Sequence, residues 1–111
     1  MSQLYADLAI PVSVDKLLTY SVPTELLTAA QRGVRAVVPL GRRMVVGIIM
    51  ELHSNKPAVK IIKPLHDVLD TQPVLSEEML SLALWISQYY FAPLGDVIKT
   101  ALVQQALRPG R

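Results

Sequence analysis

The residues best suited to chemistry in this chain are cations beside a glycine. Gly41-Arg42-Arg43 lies between two apolar runs, VRAVVPL and MVVGIIM. Guanidinium forks match phosphate oxygens bidentately. Backbone N–H groups at a tight turn, with no side chain in the way, hold an anion or a terminal hydroxyl. Lys63 adds a point charge if its segment lies beside the turn. This chemistry is binding of a phosphate-bearing terminus rather than turnover.

Residues for catalysis are sparse. The sequence has no GxxxxGK[ST] phosphate loop and no GxSxG nucleophile elbow. His53 and His66 lack HExxH or carboxylate spacing for a metal. Glu77-Glu78 follows Ser76 at an expected helix start, where acids act as caps. Asp67 and Asp70 have turn spacing. With no cysteine there is no disulfide framework and no thiolate metal site. Trp85, Tyr89 and Tyr90 have the chemistry to stack bases, but their helical spacing predicts a core cluster. Of six aromatics in total, only Tyr5 and Tyr20 fall on expected strands, which argues against a long base-stacking groove.

Composition supports a single packed domain. The chain has 111 residues, 51% of them hydrophobic and 18% charged, enough apolar surface for a core. No apolar run reaches the ~18–20 residues of a membrane span, and the start lacks a basic region followed by an apolar one. A cytoplasmic protein is expected. The net charge of +2 hides a division. Between residues 32 and 66 lie Arg32, Arg35, Arg42, Arg43, Lys56, Lys60 and Lys63 against the one acid Glu51, a local net of +6. The remainder carries −4. Such a division suits either a polyanion partner or a solvated basic face.

The elements that must position these groups follow from periodicity. Residues 4–10 alternate, with Leu4, Ala6, Leu8 and Ile10 on one face and Tyr5 and Asp7 on the other, as in a half-buried strand ending at Pro11. A connection follows, then a second alternating strand over 18–22 stopped by Pro23. Residues 24–31 read as a short helical turn capped by Thr24 and ended by Gly33. Residues 34–50 form a β-hairpin turning at Gly41, with a bulge or sharp coil expected at Gly47. A further short strand is expected near 60–63, broken by Pro64. From Ser76 the period becomes helical: Met79, Leu82, Ala83, Ile86 and Tyr90 recur on one stripe. Pro93 opens a second helix with the stripe Leu94, Val97, Ile98, Ala101 and Leu102. Residues 1–106 thus read as one α+β domain, a small curled, barrel-like (OB-like) sheet with C-terminal helices packed on it. Residues 107–111, LRPGR, read as a linker.

In order, LAIPVSVDKLLTYSVP, GVRAVVPLGRRMVVGII, IKPLHDVLDTQPVL and QYYFAPLGDVIKTAL resemble the N-terminal part of the bacterial primosomal replication-restart helicases, the PriA family. The likeness runs to about Leu107. It implies a non-catalytic module that binds the free 3′ end of the nascent leading strand at a stalled, forked DNA. The module would precede a winged helix and an ATP-driven 3′-to-5′ helicase core. No cofactor is implied for this fragment; ATP and zinc are implied for the intact protein. Other domains of the same helicase, single-strand-binding protein and primosome components are implied as partners, and a nucleoid-associated place in the bacterial cytoplasm.

The resemblance also carries a pocket, aligned with Leu18, Thr19, Gly41 and Lys63. Gly41 and Lys63 match the family pattern. Leu18 stands where well-known members have phenylalanine, and Thr19 where they have aspartate. A carboxylate accepts from a hydroxyl and repels a phosphate; a threonine keeps the hydrogen bond and loses the repulsion. In the expected arrangement Leu18–Tyr20 and the Gly41 turn receive the terminal sugar and base, while Lys63, Arg42 and Arg43 attract adjacent phosphates. Two rival readings remain: a protein-interaction domain of the primosome, and a general OB-like single-strand binder without end preference.

Overall fold

The computed structural model describes residues 3–10, 17–58 and 61–107. Its strands are β1 (Tyr5–Ala9), β2 (Leu18–Ser21), β3 (Arg35–Leu40), β4 (Arg43–His53) and β5 (Asp67–Val68), followed by helices α1 (Glu77–Tyr90) and α2 (Leu94–Leu107). The strands form one antiparallel sheet in the order β2-β1-β4-β3-β5. Pro11, the connection over 11–16, Lys60 and residues 108–111 lie outside the described residues.

The hairpin is a two-residue turn, with Leu40 opposite Arg43. Gly41 occupies its first central position at φ +63°, which an L side chain adopts only at a cost. Valine and isoleucine then carry β3 and β4 into the sheet, where branched side chains pack well against cross-strand neighbours. The sheet is closed by the segment that follows. Its residues 63–65 bond to β2 through Ser21 N–H to Lys63 C=O at 3.0 Å and Leu65 N–H to Ser21 C=O at 2.9 Å. Its continuation bonds to β3 through His66 N–H to Val37 C=O and Leu69 N–H to Arg35 C=O. A single stretch therefore joins the two open edges and makes the sheet a barrel. The strand expected near 60–63 is displaced: Pro64 forms an isolated parallel bridge with Ser21, and the regular strand is β5. Proline cannot donate to a ladder, but its carbonyl-side neighbours can still pair.

Two cores follow from one sheet. Inside the barrel lie Ala6, Leu8, Ile10, Tyr20, Val22, Val34, Ala36, Val38, Ile49 and Leu65. On the outer face Ala9, Ile48 and Met50 pack against Leu75, Leu80, Ala83, Leu94 and Ile98. Strands β1 and β4 are thus buried on both faces near the helices, where Ala9 is 1% exposed, and the expected one-sided alternation of β1 also fails at Tyr5, 6% exposed and stacked on His53. The bulge is not at Gly47. The register of β4 against β1 skips Met50, since Asp7 faces Glu51 while Leu8 faces Ile49. Gly47 pairs regularly with Ala36 and serves a close approach: a Cβ there would lie 2.6 Å from Ile10 Cδ1 and 3.0 Å from the Ala9 carbonyl oxygen.

The turn after β2 is a single 3₁₀ turn, Thr24–Leu26, preceded by Pro23 and lacking a side-chain cap, so Thr24 is not its cap. At α1 the expected cap is present, with Met79 N–H donating to Ser76 Oγ at 3.1 Å. Of the expected α1 stripe, Ala83 is buried and Met79 and Ile86 are half-buried, while Leu82 and Tyr90 are exposed; Leu80, outside that stripe, is buried instead. The helix is rotated because its contacts come from Leu75 and α2 as well as from the sheet.

Arg35 and Asp70 lock the closing segment. Asp70 accepts from the Arg35 backbone N–H at 2.8 Å and from its guanidinium at 2.8 and 3.1 Å. The side-chain hydrogen bonds from Arg35 hold the Asp70 carboxyl below the usual aspartate range, against a smaller opposing effect of burial. A lowered folded pKa means stability that is present above ~4 and lost as pH falls through the lowered value. Asp70→Asn is expected to cost about 1–2 kcal/mol at pH 7 and to make denaturation midpoints less acid-sensitive below pH 4. Urea titrations of both proteins at pH 7 and pH 3 check this; an equal difference at both pH values would refute it.

Candidate nucleic-acid interface

Barrel closure brings three distant stretches to one place. An open cleft of about 430 Å³ is lined by Leu17 and, from β2, by Leu18, Thr19 and Tyr20, by Pro39, Leu40 and Gly41 at the hairpin turn, and by Pro57, Ile61 and Lys63. Each is placed by a local cause. Tyr20 turns its ring into the barrel and its hydroxyl donates to the Pro39 carbonyl at 2.8 Å, tying β2 to the turn. Burial pushes the Tyr20 hydroxyl above its ordinary pKa, so it remains a donor. The Lys63 carbonyl is fixed by Ser21 N–H, which sets its side chain beside β2. Nothing stands within 4 Å of where a Gly41 Cβ would be, so the turn backbone is open.

The basic residues divide into two kinds. Arg32 bonds to Glu77, lies 4.0 Å from Glu51 and donates to the Met50 carbonyl, and Arg35 is committed to Asp70. These two hold the fold together. Arg42, Arg43 and Lys63 are exposed, and among the described residues none of them makes an ion pair or a side-chain hydrogen bond. Free cations around an apolar cleft with an open backbone turn suit a ligand that is part ring and part phosphate.

A sequence model described as the PriA 3′ DNA-binding domain matches residues 7–103. The chain belongs to the PriA 3′ DNA-binding domain family. It is 36% identical over 100 residues to the replication restart protein PriA of Chlamydia pneumoniae, a match covering 90% of this chain and 13% of that protein. It is 31% identical over 105 residues to PriA of Chlamydia trachomatis, covering 90% of this chain and 14% of that one. With PriA of Bacillus subtilis it shares 31% identity over 87 residues, covering 75% and 11%. The chain thus spans about 11–14% of the length of these relatives.

Of the seven residues expected at a PriA-type site, five line the cleft: Leu18, Thr19, Tyr20, Gly41 and Lys63. Arg42 and Arg43 are not in its wall; they stand exposed at the adjoining turn tip and start of β4. Leu17, Pro39, Leu40, Pro57 and Ile61 are additional lining that sequence reading did not name. Ile61, 79% exposed, is the least covered of them and offers an apolar rim. Asp7 and His53 were also not named. Thr19 Oγ1 donates to Asp7 Oδ1 at 2.6 Å, and His53 Nε2 lies 3.0 Å from the same oxygen. The outward alternation of Asp7 was a signal, but only the register of β1 and β2 pairs it with Thr19.

The aromatic cluster of α1 is not core. Trp85, Tyr89 and Tyr90 are 53%, 63% and 65% exposed, with Trp85 and Tyr89 stacked at 5.0 Å between ring centroids. It stands on the helical layer, away from the residues lining the cleft.

Proposed function

We propose that this chain captures the 3′ terminus of the nascent leading strand at stalled replication forks, as a non-catalytic part of a longer ATP-dependent 3′-to-5′ helicase. The observation that carries the reading is the convergence of Leu18, Thr19, Gly41 and Lys63 on one cleft. The terminal sugar and base rest on Leu18 and the apolar lining. The exposed Gly41 turn and Thr19 supply hydrogen-bonding groups that need not depend on the base. Lys63, Arg42 and Arg43 draw in the adjacent phosphates. A cleft of this size receives one nucleotide end rather than a track of bases.

In the intact protein the reading includes a winged helix, ATP and zinc bound elsewhere, contacts with the other helicase domains, and work alongside single-strand-binding protein and primosome components at the nucleoid in the bacterial cytoplasm. Among the described residues no helix is long and apolar enough to cross a membrane. A second reading, docking to protein, is favoured by the exposed aromatic face of α1, because tryptophan and tyrosine dominate binding hot spots.

Fluorescence anisotropy at low salt tests the first reading with three labelled strands: a free 3′-hydroxyl, a 3′-phosphate, and a 3′ end buried in a hairpin. Binding is expected to need the accessible terminus. Equal affinity for all three would overturn end capture and leave a general basic surface.

A further inference from the structure

We propose that Asp7 makes the Thr19 hydroxyl an acceptor toward the cleft, and so restores selection for a terminal hydroxyl over a terminal phosphate. The inference rests on the end-capture reading. Its observations lie on the outer face of β1 and β2, where Asp7 sits directly opposite Thr19.

The proton positions follow from the hydrogen bonds. Asn55 N–H donates to His53 Nδ1 at 3.2 Å, so that ring nitrogen is an acceptor and the ring proton resides on Nε2. Nε2–H then donates to Asp7 Oδ1 at 3.0 Å. The Asp7 carboxylate has no proton to give. The short contact between Thr19 Oγ1 and Asp7 Oδ1, 2.6 Å, is therefore donated by threonine. The length is that of a hydrogen bond to a charged acceptor. A hydroxyl has one donor and two lone pairs. With its donor spent on Asp7, Thr19 has only lone pairs left for a ligand. His53, stacked against Tyr5, keeps the Asp7 carboxylate from turning away.

Thr19 lines the cleft, and a ligand group that reaches its hydroxyl meets an acceptor, with a carboxylate behind it. A strand ending in a 3′-hydroxyl has a proton to donate. A 3′-deoxy end has none, and a 3′-phosphate brings acceptor oxygens and negative charge. The threonine thus does the work of a carboxylate at one remove: Asp7 contributes the charge from the neighbouring strand, and Thr19 contributes the contact. Asp7 is a positioning residue here, acting through Thr19.

The test compares affinities for three short single strands that differ only in a 3′-hydroxyl, 3′-deoxy (2′,3′-dideoxy) or 3′-phosphate end. The wild-type chain is expected to favour the hydroxyl over the deoxy end about five- to tenfold, the worth of one ordinary hydrogen bond. Thr19→Val should bring that ratio to about one, and Thr19→Ser should restore it. Asp7→Ala frees the threonine proton to face a phosphate, so the hydroxyl-to-phosphate ratio should fall about tenfold. A merely structural loss would weaken all three ends together and leave the ratios unchanged. Unchanged ratios in Asp7→Ala and Thr19→Val, in a protein that still requires an accessible 3′ end, would overturn this inference alone. A wild-type chain that binds hairpin-buried and free ends equally would overturn end capture itself. Should Asp7→Ala fail to fold by circular dichroism, the Val and Ser variants at Thr19 with the deoxy end decide the matter.

Discussion

Gly33→Ala is expected to remove a large share of the stability of this domain. Gly33 has φ +91°, a conformation that costs an L side chain of the order of 1–2 kcal/mol. A Cβ there would also lie 2.4 Å from the Leu75 carbonyl oxygen and 2.9 Å from Pro73 Cβ. Neither can yield cheaply, since one is backbone and the other a ring. Gly33 N–H donates to the Ile49 carbonyl at 2.8 Å, and its own carbonyl receives Val74 N–H at 2.9 Å. It thereby ties the inner barrel core to the start of the helical layer. Strain plus forced displacement amounts to roughly 3–5 kcal/mol, against a typical total of ~5–15 kcal/mol. Gly41→Ala is the control. It shares a positive φ but meets open space, so about 1–2 kcal/mol is expected. Urea denaturation followed by circular dichroism should show a much lower midpoint for Gly33→Ala than for Gly41→Ala. Equal midpoints would refute the close-approach account.

Reversing the charge of Arg42, Arg43 and Lys63 together to glutamate should abolish DNA binding while sparing the fold. The three side chains are exposed and free of internal partners, so each change should alter stability by no more than ~0.5 kcal/mol. Three phosphate contacts on a single strand imply a log–log salt slope of about −2, or roughly a twentyfold loss of affinity between 50 and 200 mM salt. The triple variant should bind on the order of 100-fold more weakly at low salt and lose most of that slope. Reversal at Arg32 or Arg35 should behave in the opposite way, lowering the melting temperature, because those two are bound to Glu77 and Asp70. Anisotropy titrations at several salt concentrations separate the cases. Undiminished DNA binding by the triple variant would remove phosphate attraction as the basis of the interaction and favour an apolar surface. Retained binding to a protein partner would then assign that role to the exposed face of α1.

How far the sequence could be read depended on the range of each interaction. Ser76 as a cap, Gly41 in a two-residue turn and Pro93 before α2 are local matters, settled within a few residues by backbone sterics and hydrogen-bonding capacity. The stripe along α2 was legible for the same reason, since Leu94, Ile98 and Ala101 repeat at helical spacing and are buried. The stripe of α1 was legible only in part because its residues are apolar nearly all round: Ala83 is buried as expected, but Trp85, Leu82 and Tyr90 look like core and are exposed, and the placement of Leu75 and α2 turns Leu80 inward. In the same way the alternation put Tyr5 on the face opposite the core, yet it is buried with its ring stacked on His53, a partner 48 positions away.

The candidate site shows the same division. Residue types alone pointed to cations beside a glycine turn as the candidate groups, and the order of motifs determined the family. Only the tertiary structure decided which cations are free. Arg32 and Arg35 contribute to the basic segment as fully as Arg42 does, yet their carboxylate partners stand up to 45 positions away in the chain. Tertiary structure also decided that Lys63 shares a cleft with Thr19 and Gly41, because that requires residues 63–69 to join both sheet edges. Finally, it decided that Thr19 is joined to Asp7. Strand register determines such a pair, and register is a property of two strands packed in one core rather than of either sequence alone.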